Sequence, residues 1–475
     1  MMTLTRSLPA LALGTLLAGA AVAQQPTAPQ PKPPTPAAPT PSTAPMTADT
    51  GVLNAASAPS VRRVTLAEAL QLGREYNPSQ VEAQQNLRVA NMGVTQAWGA
   101  YLPTVIGSAT SSTGSSQKFN SGTGQVVTAN PDQSSFGLSA SLNLFTGFQR
   151  GANMRAANAT RELNQAALLQ QDYATDLNTK QAFFNVLADQ ELVGVAQANL
   201  AQNDQQLKLT TEKLRLGATT RSDSLTASVS YGTAEVQLIQ ARANALTAQA
   251  DLARAIGVQG MVAATPDTTL EIRLTTLDTA ALRRDAEATA PAVVQSQAAV
   301  TAAQASLSAQ RSLYWPTLSL GASQRWAAQM LFPWSSAPAG ISPSYTGTWS
   351  LSLSLNYPLF NGFSREGQIV TADANFKAAQ AKLRDARLAL DASLTQDMTA
   401  LEAAGAQIDV SRTSVAAAQE SLRMQQERYR LGAATIVDLL TAETALNQAE
   451  VTLVQSRYSY LIARASLEAL VGHTL

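Results

Sequence analysis

"EKLRLGATTRSDSLTA" (residues 212–227) returns 215 residues later as "ERYRLGAATIVDLLTA" (residues 427–442). In both copies a glycine follows a basic residue and a leucine, and a threonine then stands three positions ahead of an aspartate. Thr220-Arg-Ser-Asp223 and Thr435-Ile-Val-Asp438 have the spacing of a capping box, with aspartate in place of the usual glutamate. Gly217 and Gly432 fall where a helix C-terminus needs a left-handed residue. Each stretch predicts a helix end, a tight loop and a returning helix. The chain carries two helical hairpin tips.

Outward from the tips the duplication continues. Residues 75–104, ending in "YLPT", pair with 288–317, ending in "YWPT"; Pro78 matches Pro291 and Pro103 matches Pro316, both at an offset of 213. "NLFTGFQR" (143–150) pairs with "PLFNGFSR" (358–365), and from Gly147/Gly362 to Leu252/Leu467 the offset is 215. A repeat of this length is too long for a solenoid unit and reads as a duplicated half. The expected halves are residues 61–258 and 279–473, with a connector over 259–278.

Within each half the pattern changes character. Thr65-Leu-Ala-Glu68 has capping-box spacing, and Asn77-Pro78 interrupts the helix it opens. A helix then runs to about Tyr101 and stops at Pro103. Next, Phe136, Leu138, Ala140, Leu142 and Leu144 alternate with Ser135, Gly137, Ser139, Ser141 and Asn143. Trp349, Leu351, Leu353, Leu355 and Tyr357 alternate likewise with Ser350, Ser352, Ser354 and Asn356. Period two over this length predicts strands. With weaker partners at "PTVIGSATSS" and "PTLSLGASQRW", each half offers one hairpin, joined by long loops near 113–133 and 327–346. From Gly147 and Gly362 the chain turns helical for about 65 residues, roughly 100 Å of helix.

The returning helices carry apolar seams. Leu225, Val229, Val236, Ile239, Ala243, Leu246, Ala250 and Ala253 form one on 3–4 spacing. Its twin carries two, one through Leu439, Ala442, Leu446, Leu453, Tyr460 and Leu467 and one through Leu440, Val451, Val454, Tyr458, Leu461 and Ala465. One seam makes a two-stranded coiled coil. Two offset seams demand a neighbour on each side, as in a ring of helices.

Composition narrows the function classes. The 475 residues sum to zero net charge, which gives no footprint for nucleic acid or another polyanion. Charged residues are 14%, against about a quarter in ordinary domains. There is no cysteine, hence no disulfide, thiolate metal site or cysteine nucleophile. Residues 1–23 read as a secretory signal peptide, and 24–60 as a proline-rich linker with too little apolar content to fold. No later apolar run is long enough for a transmembrane helix, so a membrane-spanning form must be a closed β-barrel. Four strands leave two open edges, which lipid forbids. Closure therefore requires several copies: two give eight strands and a filled interior, three give twelve and an aqueous lumen. The serines then face the lumen, while Phe136, Leu138, Leu351 and Leu353 face lipid. Tyr101, Tyr314, Trp315, Trp326, Trp349 and Tyr357 lie near strand ends, where an aromatic girdle belongs.

At this point the chain resembles the TolC-type outer-membrane efflux proteins, the outer membrane factor family. The resemblance is carried by residues 66–78, "YLPT"/"YWPT", "LFTGF"/"LFNGF", "RLGAT"/"RLGAA" and the final helix, and covers about 61–473. It implies an α+β membrane protein: a homotrimer with a twelve-stranded transmembrane β-barrel, four strands per chain, continued by a long periplasmic coiled-coil tunnel. It implies a passive exit duct in the outer membrane of a Gram-negative-type cell, serving tripartite efflux or type I secretion. The implied partners are a periplasmic adaptor and an inner-membrane transporter of the RND, ABC or MFS class. The tips, Arg215, Leu216, Gly217, Ala218 and Thr219 with Arg430, Leu431, Gly432 and Ala433, would dock the adaptor. Asp223, Tyr429, Asp438 and Thr441 would form the periplasmic gate, with Asp223 and Tyr429 matching a pair that bonds across neighbouring hairpins. Thr441 stands where the family has a second lumen aspartate, and Ala434 where it has a gate arginine, for which Arg221 or Arg430 would be the substitute nearby.

Against each sharp reading stands a plain one. The glycine loops also suit ordinary helix ends, and Asp438 suits a mere cap. His473, the one histidine, reads as a terminal polar residue. With no carboxylate pair, phosphate loop or nucleophile constellation, neither catalysis nor a cofactor is expected. The rival class is a periplasmic coiled-coil scaffold or adaptor without a pore, against which the lipid-type alternation and flanking aromatics argue.

Overall fold

The computed structural model describes residues 62–129, 133–266, 278–328 and 346–474. The signal-peptide and linker readings, most of the connector and most of the second strand loop lie outside the described residues. Repeat one runs β1 (Arg62–Val64), α1 (Leu66–Tyr76), α2 (Pro78–Gly99), β2 (Thr104–Ser112), β3 (Ser116–Asn120), β4 (Gln125–Ala129), β5 (Gln133–Thr146), α3 (Gln149–Arg215) and α4 (Arg221–Ala255). After β6 (Val262–Ala264), repeat two runs α5 (Thr279–Thr289), α6 (Pro291–Arg311), β7 (Thr317–Ala328), β8 (Thr346–Asn356), α7 (Ser364–Arg430) and α8 (Ile436–Val471).

α3 and α7 each hold 67 residues, about 100 Å of helix. No single partner is that long. Each is matched by two helices end to end: α4 (35 residues) and α2 (22) along α3, α8 (36) and α6 (21) along α7. The joints sit at the proline breaks. Asn77 caps α2 by accepting from Ser79 N at 3.0 Å, and its amide donates to Ala255 O at the end of α4 at 2.9 Å. In repeat two the Thr289 hydroxyl reaches Val471 O at 2.8 Å. Phe183, Val186 and Leu187 of α3 pack there with Leu252, Ile256, Val64 and Val262; Leu394, Leu401 and Ile408 of α7 pack with Leu282 and Leu467. Ion pairs tie α3 to α8, Lys180–Glu468 at 2.6 Å and Arg457–Glu191 at 3.1 Å.

The seams resolve differently on the two returning helices. On α8, Leu439, Ala442, Tyr460 and Leu467 pack with α7, while Val454 and Tyr458 pack with α3, so both of its neighbours lie within the chain. On α4 the face against α3 is made mainly of alanines, Ala227, Ala234, Ala245 and Ala248, with Leu238 and Leu252. The seam read from the sequence is its other face, except for Ala253, which is buried in the core. Leu225, Val229, Val236, Ile239 and Leu246 are between 51% and 70% exposed in the single chain.

β2, β5, β7 and β8 form one antiparallel sheet in the order β2-β5-β7-β8. Its register sorts side chains cleanly. Leu142 pairs Leu320, and Leu320 pairs Leu353; Ser139 pairs Ser323, and Ser323 pairs Ser350. One face is thus mostly apolar, with Gln324 between Leu138 and Trp349 on it, and the other is rich in serine, with the Ser323 and Ser350 hydroxyls 2.9 Å apart. A β-bulge between Asn143 and Phe145 breaks the expected alternation, so Phe145 rather than Leu144 pairs Leu318. The aromatics form two belts. Trp326, stacked on Phe136 at 5.2 Å, and Trp349 mark one end of the strands; Tyr101, Tyr314, Trp315 and Tyr357 flank the other.

Two expectations need correction. The stretch 113–133 is not a plain loop but carries the short β3–β4 hairpin, in which Phe119 pairs Val126. The capping box at Thr65 is half formed: its hydroxyl accepts from Glu68 N, but the Glu68 carboxylate takes Arg62 at 2.6 Å. A charge-assisted bond outcompetes the backbone amide.

Between sheet and long helix the chain turns through consecutive left-handed residues, Gly147 (φ 61) and Phe148 (φ 66), repeated as Gly362 (φ 66) and Phe363 (φ 63). This explains the duplicated "GF". A left-handed phenylalanine is costly, and packing holds it there. Phe148 meets Trp315 edge-on at 5.7 Å, and Phe363 meets Phe360 at 5.5 Å. Arg150 over Tyr101 (4.9 Å) and Arg365 over Tyr314 (4.3 Å) clamp both junctions to the aromatic belt.

Candidate functional site

At the far end of the long helices the two tips are built alike. Gly217 N donates to Leu214 O at 3.0 Å and Ala218 N to Lys213 O at 2.8 Å; Gly432 N donates to Tyr429 O at 3.2 Å and Ala433 N to Arg428 O at 2.8 Å. With φ of 72 at Gly217 and 75 at Gly432, these are helix ends that a left-handed glycine closes. Both capping boxes are complete. Leu216 and Leu431 follow the last helical turn and are each 75% exposed, an apolar point at each tip. The flanking arginines are held by their own helices, Arg215 by Glu212 and Arg430 by Glu427, both at 3.0 Å.

The carboxylates of the expected gate are committed to caps. Asp223 Oδ2 accepts from the Thr219 hydroxyl at 2.7 Å and from Thr220 N at 3.2 Å. Asp438 Oδ2 accepts from Thr435 N at 2.9 Å and from the Thr435 hydroxyl at 2.8 Å. These bonds favour the ionised form and hold both groups below the ordinary carboxylate range, through Thr219 first at Asp223 and the Thr435 backbone first at Asp438. The sign follows: the caps are complete above that range and are lost only as pH falls through the depressed values. Each carboxylate keeps its second oxygen and its full charge at neutral pH.

Thr441 lies about one turn beyond Asp438, and its hydroxyl donates to Val437 O at 2.7 Å. Within one chain Asp223 and Tyr429 do not meet. The Tyr429 hydroxyl has no hydrogen-bond partner among the described residues, and Lys213 sits over the Tyr429 ring at 4.1 Å. That cation–π contact joins the tip of one hairpin to the other, and reading the sequence missed it. Its only signal is that Lys213 is the repeat counterpart of Arg428, a faint one because the pairing is tertiary.

A chain with a four-stranded amphipathic sheet at one end and two paired helical tips at the other matches one family along most of its length. The profile of the outer membrane efflux protein family matches twice, over residues 69–258 and 282–473. The outer membrane efflux protein BepC of Brucella suis is 25% identical over 411 residues, covering 85% of this chain and 84% of its own. The outer membrane protein TolC of Escherichia coli is 25% identical over 374 residues, with 71% and 74% covered. Among solved structures, the outer membrane channel CmeC of Campylobacter jejuni superposes with a TM-score of 0.71 at 17% identity, covering 86% of this chain and 85% of that one. VceC of Vibrio cholerae gives 0.68 at 18%, covering 86% and 96%. The chain belongs to the outer membrane efflux protein family. It is an outer-membrane channel component of an efflux or secretion system, with a large periplasmic helical portion.

Proposed function

We propose that three copies of this chain close a twelve-stranded barrel and a helical tunnel, forming a passive duct with no catalytic step of its own. The observation that carries this reading is the sheet, which has one mostly apolar face and two edge strands, β2 and β8, lacking an outer partner among the described strands. Three sheets joined edge to edge satisfy the edges and leave the serine face to line water. The exposed seam on α4 supports the same assembly, because the ring of helices needs a neighbour there. Residues 61–258 and 279–473 act as two pseudo-equivalent halves, joined by 259–278.

The tips dock a periplasmic adaptor, which couples the duct to an inner-membrane RND, ABC or MFS transporter. Leu216 and Leu431 are the apolar contacts, and Arg215, Thr219, Arg430 and the glycine–alanine backbones shape the surface around them. Gly432→Val tests this. An added Cβ meets nothing within 4 Å, so the change acts through the left-handed backbone and by crowding a docked helix. The expected result is normal assembly with lost efflux, measured as drug accumulation in cells. Unchanged efflux would remove this tip from the docking surface.

Asp438 supplies one carboxylate per chain to the periplasmic constriction, while Asp223 and Tyr429 pair hairpins across the assembly. A ring of three carboxylates focuses negative potential and favours cations. With Thr441 in place of a second ring, cation selectivity and multivalent-cation block are modest. Thr441→Asp should strengthen the block. Asp438→Asn should abolish it and leave the barrel intact, because asparagine still caps a helix. Single-channel recording at low salt, where screening is least, checks both; unchanged selectivity and block in Asp438→Asn would reduce Asp438 to a cap.

A further inference from the structure

The ties between the two hairpins of one chain change character along their length. High on the helices, ion pairs join α3 to α8, Lys180 to Glu468 at 2.6 Å and Arg457 to Glu191 at 3.1 Å. Just above the tips the tie is of another kind, the Lys213 ammonium lying 4.1 Å from the centroid of the Tyr429 ring. Lys213 belongs to the last turn of α3 in hairpin one, and Tyr429 to the last turn of α7 in hairpin two.

The nearby carboxylates are engaged elsewhere. Glu212 holds Arg215 and Glu427 holds Arg430, both at 3.0 Å, and Asp204 holds Lys208 at 2.6 Å. Asp223 and Asp438 are taken up by their caps. The repeat counterpart of Lys213 behaves differently: Arg428 donates to Ala433 O at 3.3 Å and so stays on its own tip. The arginine closes its own loop, whereas the lysine crosses to the other hairpin. The ring it meets is fixed by packing, since Tyr429 lies against the buried cluster of Leu422, Leu439 and Ala442. Its hydroxyl is buried and has no hydrogen-bond partner among the described residues, so within one chain no hydrogen bond positions the ring. Lys213 and Tyr429 are both half-buried, which strengthens a cation over a ring relative to an exposed pair.

We propose that Lys213 is a positioning residue for the duct: its contact with Tyr429 clasps hairpin one to hairpin two within each chain and holds the periplasmic constriction narrow. The proposal rests on the reading above that the tips constrict the duct. Widening at this level moves α3 away from α7, and Lys213 must then leave the ring. One such contact shifts a closed-to-open equilibrium by roughly two- to thirty-fold. The clasp needs a cation and a ring face. That separates it from the pairing of Asp223 with Tyr429 across the assembly, which needs the phenol hydroxyl.

The test is single-channel conductance of the full-length assembled protein in planar bilayers, with recovery of heat-resistant oligomer as the check on assembly. Lys213→Met keeps the side chain's length and removes its charge; it should assemble normally and conduct several-fold more than the unaltered protein. Lys213→Arg keeps a cation over the ring and should hold the narrow state. Lys208→Gln removes a charge from the same helix without touching Tyr429, and should conduct as the unaltered protein does. Tyr429→Phe retains the ring face and should conduct less than Tyr429→Leu. Lys213→Met combined with Tyr429→Leu should conduct no more than the wider single variant, because the two changes remove one contact. Unchanged conductance in Lys213→Met, with Asp438→Asn still shifting selectivity, would overturn the clasp and leave the constriction standing. Silence of both variants would overturn clasp and constriction together. An additive double variant, or Tyr429→Phe as open as Tyr429→Leu, would also overturn the clasp.

Discussion

Leu353→Arg should cost roughly 2–4 kcal/mol of barrel stability, the depth-dependent cost of arginine on the lipid face near the bilayer midplane. Leu353 sits mid-strand in β8, opposite Leu320, which in turn faces Leu142 across β5. An arginine there interrupts an apolar stripe three strands wide. Its neighbour in sequence supplies the control. Ser352 pairs Gly321 on the opposite face, beside the Ser323–Ser350 contact. Ser352→Arg should assemble normally and change conductance, because its side chain enters water. The recovery of heat-resistant oligomer from membranes reads the first effect, and planar-bilayer recording reads the second. Exchanged outcomes would invert the assignment of the two faces.

Gly147→Ala should be strongly damaging, and Gly362→Ala the measure of why. Both glycines are left-handed, which costs a residue with a Cβ about 1–2 kcal/mol. The surroundings differ. At Gly147 an added Cβ falls 2.3 Å from the Trp315 Cβ and 2.8 Å from Ser312 O, whereas at Gly362 it meets nothing within 4 Å. Forced overpacking adds about 1–3 kcal/mol at the first site only. Ser312 and Trp315 bracket the turn that leads into β7, so relief at Gly147 must displace the strand or the aromatic belt. Gly147→Ala should therefore lower assembly yield sharply and Gly362→Ala mildly. Equal effects would mean that backbone conformation alone governs both junctions.

Much of this architecture was legible because the chain states it twice. The tips could be read to the residue: Thr220/Asp223 and Thr435/Asp438 are local devices, complete within four residues, with no competing cation on the carboxylate as Arg62 is at Glu68. The β5 and β8 alternations were equally plain, since a surface divided between lipid and water enforces period two. What failed to show had tertiary causes. The β3–β4 hairpin is short and weakly patterned, with Phe119 and Val126 both exposed, so no burial imposes a period on it. The bulge at residues 143–145 inserts one residue without changing composition. The apolar seam on α4 was visible, but its partner was not: alanines pack against α3, and the larger side chains face outward. At the expected gate, the sequence placed Asp438 and Thr441 one turn apart but carried no sign of Lys213 over Tyr429.

The central claim is that the four strands of one chain become a membrane pore only when several chains close a barrel. Its most direct test is the native mass of the protein extracted with detergent from the outer-membrane fraction, set beside its conductance in a planar bilayer. Three chains in one heat-resistant particle that conducts ions is the predicted result. A non-conducting monomer, stable in water without detergent, would contradict it.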